Sequence, residues 1–331
     1  MCLKMLRADS LVSTRRRFLA TLAGAAGAAF AKPSPDKPLR GIFVIVATPY
    51  TESKAVDYED LAHEIDWLNR CGTHGLVWPQ MASEYNRLTV EERLRGYEVI
   101  ADAAKGKRAA VVFGVQGPDT NSALNYLRHA EKLAPDALIA IPPEKAGSLE
   151  DYRAYYGALA RATERPIFIQ DTGPHHVIPM PAPFLWELAS AYPNLGYVKE
   201  EITPVLERMR ELQAKQPPMR RVFSGDGGRG MMAEMNQGSD GTMPAACFAD
   251  VYVQIWDAWQ AGDHKKARDI FMHLLPLINL AELVEQGYQP MMHRRGVFKT
   301  AVSRLPYGAP SPEVQAEIDA AYEDVKPYLR V

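Results

Sequence analysis

The chain has 331 residues, of which 47% are hydrophobic and 24% are charged, and its formal net charge is −2. This composition is typical of a folded globular protein and excludes an intrinsically disordered or a collagen-like chain. Because basic residues are not in excess, nucleic acid is also a poor candidate for a partner.

The first 31 residues have the pattern of an export signal. Three arginines at 15–17 precede an uncharged run at 18–30 that is rich in Ala, Gly and Leu. The string at 14–19 resembles the twin-arginine export motif, whose pathway carries proteins that have already folded. The apolar run is shorter than the ~20 residues that a membrane-spanning helix needs. We therefore predict a twin-arginine signal peptide over 1–31, cleavage after Ala31 and a periplasmic location.

Cleavage would leave a more acidic protein, because the first 31 residues hold five basic residues and one acidic residue. Mild acidity favours solubility and argues against anionic polymers and anionic lipids as partners. We expect no membrane partner and no nucleic acid partner after processing.

Beyond a proline-rich linker at 32–40, apolar strands alternate with amphipathic helices. The run Gly41–Ala47 is β-branched and aromatic, which is the pattern of a strand buried on both faces. Asp57 is a candidate N-cap for the helix that follows, and this helix ends near Gly72. The strand pattern recurs at 75–79, 109–115, 136–142, 166–170, 195–199, 221–224 and 240–244, and helical patterns lie at 90–104, 120–133, 149–162, 181–192 and 204–215.

Eight strands, each followed by a helix, predict an α/β fold, a (β/α)8 TIM barrel over 41–250. A doubly wound sheet is the alternative, but the first strand ends in Thr48-Pro49-Tyr50 and no glycine-rich dinucleotide loop follows it. From 251 to 331 the pattern is almost wholly helical, so we predict a C-terminal helical extension.

Two cysteines remain in the processed chain, and the barrel places them far apart. Cys71 precedes the second strand and Cys247 follows the eighth, so a strand rise of about 15 Å separates them. A disulfide needs Cα atoms within ~7 Å. We predict that both thiols are free.

Reacting groups of such barrels lie at the carboxyl ends of the strands. Lys199 closes the strand 195–199, so its amine is expected to project into the barrel mouth. Desolvation there disfavours the ammonium form, and the neutral amine can form a Schiff base with a carbonyl group. The strand-end residues in chain order are Thr48, Gln80 to Glu84, Gln116, Glu144, Asp171 with His175 and His176, Lys199 with Glu200 and Glu201, Asp226 and Met243.

Four short motifs lie in order along the chain, at 48–50, at 80–84 followed by Leu88-Thr89, at 197–200 and at 224–226. They resemble signature segments of the dihydrodipicolinate synthase and N-acetylneuraminate lyase family of class I aldolases, and the resemblance runs from Gly41 to about Gly308. It implies that Lys199 forms an imine with a 2-oxo acid, usually pyruvate. It also implies a small-molecule 2-oxo acid or sugar-acid substrate, no cofactor, and a homo-oligomer, commonly a tetramer.

The chain departs from the family pattern at the site. Met81 and Ala82 stand where the family has two threonines that hold the substrate carboxylate, so backbone amides and Ser83 remain. Glu144 falls on or beside the position of a proton-relaying tyrosine, and a carboxyl group in a closed pocket can act as general acid or base. Alternatively, Glu144 pairs with Lys145 or Lys199. We assign catalysis to Lys199 and Glu144, and substrate binding to Thr48, Met81, Ala82, Ser83, Asp171 and Met243.

A metal site is a further possibility, since Glu144, Asp171, His175 and His176 are ligand types of zinc or manganese. Adjacent histidines in an extended loop point in opposite directions, so we predict no metal. The sequence thus favours a Schiff-base lyase that catalyses aldol cleavage, addition or dehydration. The alternatives are a non-catalytic periplasmic binding protein for a carbonyl compound or sugar acid, and a metal-dependent hydrolase or isomerase.

Overall fold

A computed structural model describes residues 37–172, 178–284, 288–306 and 308–331. The predicted signal peptide and the first part of the predicted linker lie outside the described residues. His175 and His176, two of the candidate metal ligands, also lie outside them.

Eight parallel strands form a closed barrel in chain order, which confirms the predicted fold class. The strands are β1 (Gly41–Ile45), β2 (Gly75–Trp78), β3 (Ala110–Gly114), β4 (Ala137–Ala140), β5 (Ile167–Asp171), β6 (Tyr197–Glu200), β7 (Arg221–Ser224) and β8 (Gly241–Thr242). The helices that follow them are α1 (Tyr58–Cys71), α2 (Val90–Ala103), α3 (Thr120–Lys132), α4 (Leu149–Arg161), α5 (Ala182–Ala191), α6 (Val205–Gln213), α7 (Met231–Asn236) and α8 (Ala249–Gln260).

Local sequence sets the ends of the helices. The Asp57 side chain accepts hydrogen bonds from the amides of Glu59 and Asp60, as expected for the predicted N-cap of α1. Gly72 ends the same helix in the left-handed region, at φ 84°. The two caps set the first and last residues of α1. The N-cap therefore also sets where the loop between β1 and α1 ends, at the carboxyl end of the barrel.

Side chains alternate between the barrel interior and the layer beneath the helices. Phe43, Phe168 and Phe223 point inward, and their rings pack edge to face with centroids 5.1 and 5.3 Å apart. Gly75 makes room for this cluster, because a Cβ there would lie 2.2 Å from the Phe43 ring. The interior is thus a packed floor below the mouth, and Met243 is buried within it.

The C-terminal extension begins later than the sequence predicts. Helix α8 packs against β1 and α1 and closes the barrel, so the predicted boundary at residue 250 falls inside this helix. The extension consists of α9 (His264–Val284), α10 (Gln289–Arg294) and α11 (Pro312–Val325).

Between α10 and α11 the described residues of 295–311 contain no helix, which corrects the almost wholly helical pattern predicted there. Polar contacts hold this segment in place: the guanidinium of Arg304 binds both carboxylate oxygens of Glu92, and the amide of Lys299 donates to Asp60. Within the described residues, no helix is long and apolar enough to cross a bilayer.

Cys71 and Cys247 are buried and free, as predicted. Burial raises the pKa of each thiol to about 12. Both cysteines therefore behave as small core residues.

Candidate active site

The barrel mouth holds an ion pair between the buried Lys199 and the partly buried Glu201. Lys199 lies in β6 next to Gln170 of β5 and is 5% exposed. Its Nζ lies 3.0 Å from Oε1 of Glu201. The two residues are two positions apart, so both side chains lie on the inner face of the barrel wall.

Glu201 is fixed by Lys199 of β6, by Gln170 of β5 and by the turn that follows β7. Its Oε1 accepts a hydrogen bond of 3.0 Å from the Asp226 amide, and its Oε2 accepts one of 3.0 Å from Nε2 of Gln170. Burial alone raises the pKa of Glu201, but the Lys199 ammonium and these hydrogen bonds outweigh it, so the pKa lies below its ordinary value. Glu201 is therefore a positioned anion opposite the amine.

Gly225 provides the space that Glu201 needs. A Cβ at Gly225 would lie 2.1 Å from Oε1 of Glu201, closer than any real contact. The glycine of the segment 224–226 is thus required by the carboxylate that pairs with Lys199.

Thr48 and Ser83 hold the turn that carries Met81 and Ala82. The Thr48 hydroxyl donates to the Ser83 carbonyl at 2.6 Å and accepts from Nε1 of Trp78 at 3.1 Å. The Ser83 hydroxyl donates to the Val46 carbonyl at 2.6 Å and accepts from the Gln80 amide at 3.1 Å. Thr48 and Ser83 are both buried, and these hydrogen bonds let them position the turn, while their direct contact with substrate stays a prediction.

Met81 and Ala82 begin a short 3-10 turn, Met81–Ser83. The first amides of such a turn have no acceptor within it, so they can bind an anion. Ala82 packs against the interior cluster, whereas the Met81 side chain is 43% exposed. At these two positions the backbone, and not a side-chain hydroxyl, is available to a carboxylate.

Gln80 and Gln170 each place a buried acceptor oxygen near the mouth. Nε2 of Gln80 donates to Oε1 of Gln116 at 3.0 Å, and Nε2 of Gln116 donates to the Pro79 carbonyl at 2.8 Å. Oε1 of Gln80 and Oε1 of Gln170 are buried and accept no hydrogen bond from the described residues. A buried acceptor of this kind is costly unless a ligand or water donates to it.

Glu84 ties the C-terminal extension to the mouth. Its carboxylate accepts hydrogen bonds from Gln289 at 2.8 Å, from the Ser303 hydroxyl at 2.6 Å and from the Arg304 amide at 3.0 Å. The same Gln289 amide group donates to the Thr48 carbonyl at 3.0 Å. Helix α10 and the segment after it therefore lie beside the turn 81–83.

Asp171 lies on the outer face of the barrel wall, away from Lys199. Strand alternation places it with Glu200, and Arg208 of α6 lies 3.5 Å from Asp171 and 3.2 Å from Glu200. Burial and the charge of Glu200 raise the pKa of Asp171 to about 8, and burial raises that of Glu200 to about 7. This placement does not support the substrate contact that we predicted for Asp171.

Glu144 is exposed on the loop after β4. It forms no ion pair with Lys145 or Lys199 in the described part of the chain. Its charge adds to burial in raising the pKa of Tyr85, so the carboxylate lies near that phenol. The closed pocket that we expected around Glu144 is not formed, which weakens the case for a general acid or base at this position.

Met243 lies in the interior cluster below the mouth and forms part of the floor of the site. No group of three or more His, Cys, Asp or Glu residues that could hold a metal ion occurs in the described ranges. Glu201 was named only beside Lys199 among the strand-end residues, and Gln170 was not singled out. The signal was present for Glu201, because two residues after Lys199 is the spacing that returns to the same face.

A family model described as the dihydrodipicolinate synthetase family matches residues 38–325. An uncharacterised DapA-like lyase of Thermococcus onnurineus is 26% identical over 87% of this chain and 99% of its own length. An L-2-keto-3-deoxyarabonate dehydratase of Azospirillum brasilense is 26% identical over 88% of this chain and 96% of its own length. Among solved structures, a dihydrodipicolinate synthase from Aquifex aeolicus superposes with a TM-score of 0.79 at 24% identity, covering 88% of this chain and 100% of the other.

Proposed function

The chain belongs to the dihydrodipicolinate synthetase family and is a Schiff-base lyase of the class I aldolase type, and on that premise we propose that Lys199 is the amine that forms the imine. The observation that carries the proposal is the ion pair of the buried Lys199 with Glu201, in which Nζ lies 3.0 Å from Oε1 at the carboxyl end of β6. A lysine on the inner face of this wall is in the place where a barrel enzyme presents its reacting groups.

Imine formation begins when the ammonium of Lys199 gives up a proton. The neutral nitrogen adds to C2 of a 2-oxo acid, and the carbonyl oxygen leaves as water, so the product is a protonated imine. Glu201 faces the positive nitrogen before and after this step and stabilises the charge in both states. In the following step, electrons of a broken C–C or C–H bond at C3 flow into the imine, which allows aldol cleavage or dehydration.

The turn 81–83 and the buried glutamines provide the substrate contacts of this proposal. The amides of Met81 and Ala82 bind the carboxylate, without the hydroxyl groups that the family supplies. The acceptor oxygens of Gln80 and Gln170 receive hydrogen bonds from substrate hydroxyl groups. The Azospirillum relative is named for a 2-keto-3-deoxy sugar acid, which supports a substrate longer than pyruvate.

Borohydride trapping tests the role of Lys199. The protein is incubated with a panel of 2-oxo acids, reduced, weighed by mass spectrometry and mapped by peptide digestion. We expect one adduct per chain on Lys199 and none in folded Lys199→Ala. If wild type stays unmodified with every 2-oxo acid while its circular dichroism shows a folded barrel, the assignment of Lys199 is wrong. An adduct without turnover would favour a binding protein over a lyase.

The export signal and the assembly complete the proposal. We infer that residues 1–31 direct twin-arginine export, that the processed chain starts at Lys32 in the periplasm, and that four copies assemble. Exchange of Arg15 and Arg16 for Lys should leave precursor in the cytoplasm, and an uncleaved chain in the periplasm would contradict the proposal. A solved relative is described as a monomeric variant, so light scattering of the processed chain must decide between one and four copies.

A further inference from the structure

A cavity of about 210 Å³ lies between the segments after β7 and β8 and the C-terminal helices. Its walls are mainly carbon, and its apolar lining residues include Ala245, Phe248, Leu277, Ile278, Met291 and Ile318. The segments after β7 and β8 stand at the carboxyl end of the barrel, which is the end that carries Lys199.

One wall of the cavity adjoins the partner of Lys199. Gly227 lines the cavity, and the residue before it, Asp226, donates its amide hydrogen to Glu201. The Tyr252 hydroxyl donates to the Gly227 carbonyl at 2.6 Å and holds this wall in place. One wall of the cavity is therefore linked to the Lys199 pair through Asp226.

The opposite wall adjoins the turn 81–83. Pro290 lines the cavity, and the residue before it, Gln289, donates to the carbonyl oxygen of Thr48. The hydroxyl group of Thr48 in turn donates to the carbonyl oxygen of Ser83, which belongs to the turn. The cavity thus lies between two segments whose neighbours hold the amine partner and the predicted carboxylate turn.

The cavity offers little charge to a ligand. Arg294 is the one charged side chain in its described lining, and it pairs with Asp319 at 2.5 Å and lies 3.9 Å from the Tyr322 ring centroid. Burial keeps the Cys247 thiol protonated, because its pKa is about 12. An apolar cavity of about 150 Å³ in another protein stays dry and binds benzene. A space of this size and polarity therefore suits an aryl or branched alkyl group.

We propose that this cavity is a subsite for an apolar tail, and that the substrate is a 2-oxo acid with an aryl or alkyl group beyond C4. The proposal rests on the proposed function, since Lys199 and the turn 81–83 hold the head of the molecule. It explains why the carboxylate turn lacks side-chain hydroxyls: burial of the tail provides binding that the head group loses.

The test compares trapping of three probes on Lys199: pyruvate, 2-oxoadipate with a charged tail, and 4-phenyl-2-oxobutanoate. The phenyl probe is expected to reach half-maximal trapping at a concentration at least about tenfold below that of either other probe. Ala281→Phe fills the cavity from α9, and should remove this preference while pyruvate trapping stays unchanged. Ala320→Phe, at an exposed position of α11 outside the cavity, is the matched control and should keep the preference.

Separate outcomes distinguish the subsite from the imine. If pyruvate is trapped but the three probes are equivalent, or if Ala281→Phe and Ala320→Phe behave alike, the subsite is overturned and the lyase assignment stands. If no 2-oxo acid is trapped, calorimetry with 4-phenylbutanoate, which has no carbonyl to react, tests the subsite alone. Binding by wild type and Lys199→Ala but not by Ala281→Phe supports it, and absence of binding to wild type overturns it. Ile318→Trp fills the cavity from α11 and replaces Ala281→Phe if that variant does not fold.

Discussion

Oε1 of Glu201 lies 3.0 Å from Nζ of Lys199, and among the described residues Glu201 is the one carboxylate that forms an ion pair with this lysine. The residue between them in sequence, Glu200, points to the opposite face and contacts Arg208 instead. Strand alternation thus separates two adjacent carboxylates into different environments. Glu201 lies with Lys199 on the inner face, and Glu200 lies beneath α6 with Arg208.

Glu201→Gln should slow trapping at Lys199. The substitution keeps the shape of the side chain but removes the charge that stabilises the protonated imine. A hydrogen bond to a charged group contributes ~1.5–3 kcal/mol, so the rate of imine formation should fall by about 10- to 100-fold. Single-turnover borohydride trapping measures this rate.

Glu144→Gln is the matched control for that variant, since it removes a carboxylate from an exposed loop. We expect its trapping rate and turnover to stay within about twofold of wild type. A loss confined to Glu144→Gln, with Glu201→Gln unaffected, would reverse the two roles and restore Glu144 as the proton-transfer group.

Gly225→Ala should reproduce part of the Glu201→Gln defect without touching a charge. The added Cβ would meet Oε1 of Glu201 at 2.1 Å, so the carboxylate must leave its position beside Lys199. We expect slower trapping of every 2-oxo acid, with the barrel still folded by circular dichroism. Gly147→Ala is the control, because its new Cβ has no neighbour closer than 3.8 Å. Equal trapping rates in the two variants would show that the position of Glu201 does not matter.

The sequence was sufficient for the barrel because each strand is a short apolar run between amphipathic helices, and buried strands have few other solutions. It placed Lys199 at the mouth for the same reason. It did not distinguish the two faces at the strand ends, so Asp171 was assigned to the substrate although its position in β5 alternates with Gln170. The exposure of Glu144 depends on the conformation of its loop, which no local pattern encodes. The conformation of the segment around Arg304 depends on contacts with residues distant in sequence, such as Glu92, which no local pattern encodes either.

Cys71 and Cys247 should resist thiol reagents in the native protein. Burial raises the pKa of each to about 12, so at neutral pH almost no thiolate is present to react. In Cys2→Ser protein, a disulfide-exchange reagent should label less than about one tenth of these two thiols without denaturant and all of both in guanidinium. Rapid labelling of either cysteine in folded protein would show that its surroundings open readily.

The buried pair of Asp171 and Glu200 should make stability depend on pH. Burial and the charge of Glu200 raise the pKa of Asp171 to about 8 in the folded protein, against ~3.9 in an unfolded chain. Between about pH 4 and pH 8, Asp171 therefore carries a proton in the folded state that it lacks in the unfolded state. The stabilisation that this proton contributes is fully present below about pH 4, and it is lost as pH rises through about 8.

Asp171→Asn should weaken the dependence of stability on pH that this proton creates. The amide of the variant cannot ionise. Of the two buried carboxylates that Arg208 contacts in wild type, Glu200 of β6 remains. Between about pH 5 and 7, the free energy of unfolding should fall with pH less steeply in the variant than in wild type. The two slopes should differ by up to about 1.4 kcal/mol per pH unit, so the stability of the variant relative to wild type should rise with pH. Urea unfolding at fixed protein concentration measures both curves. Glu234→Gln removes a second buried carboxyl, in α7, whose pKa burial raises to about 7, and it should weaken the pH dependence in the same direction. Parallel curves for wild type and Asp171→Asn would show that Asp171 is ionised across this range and that Arg208 neutralises it fully.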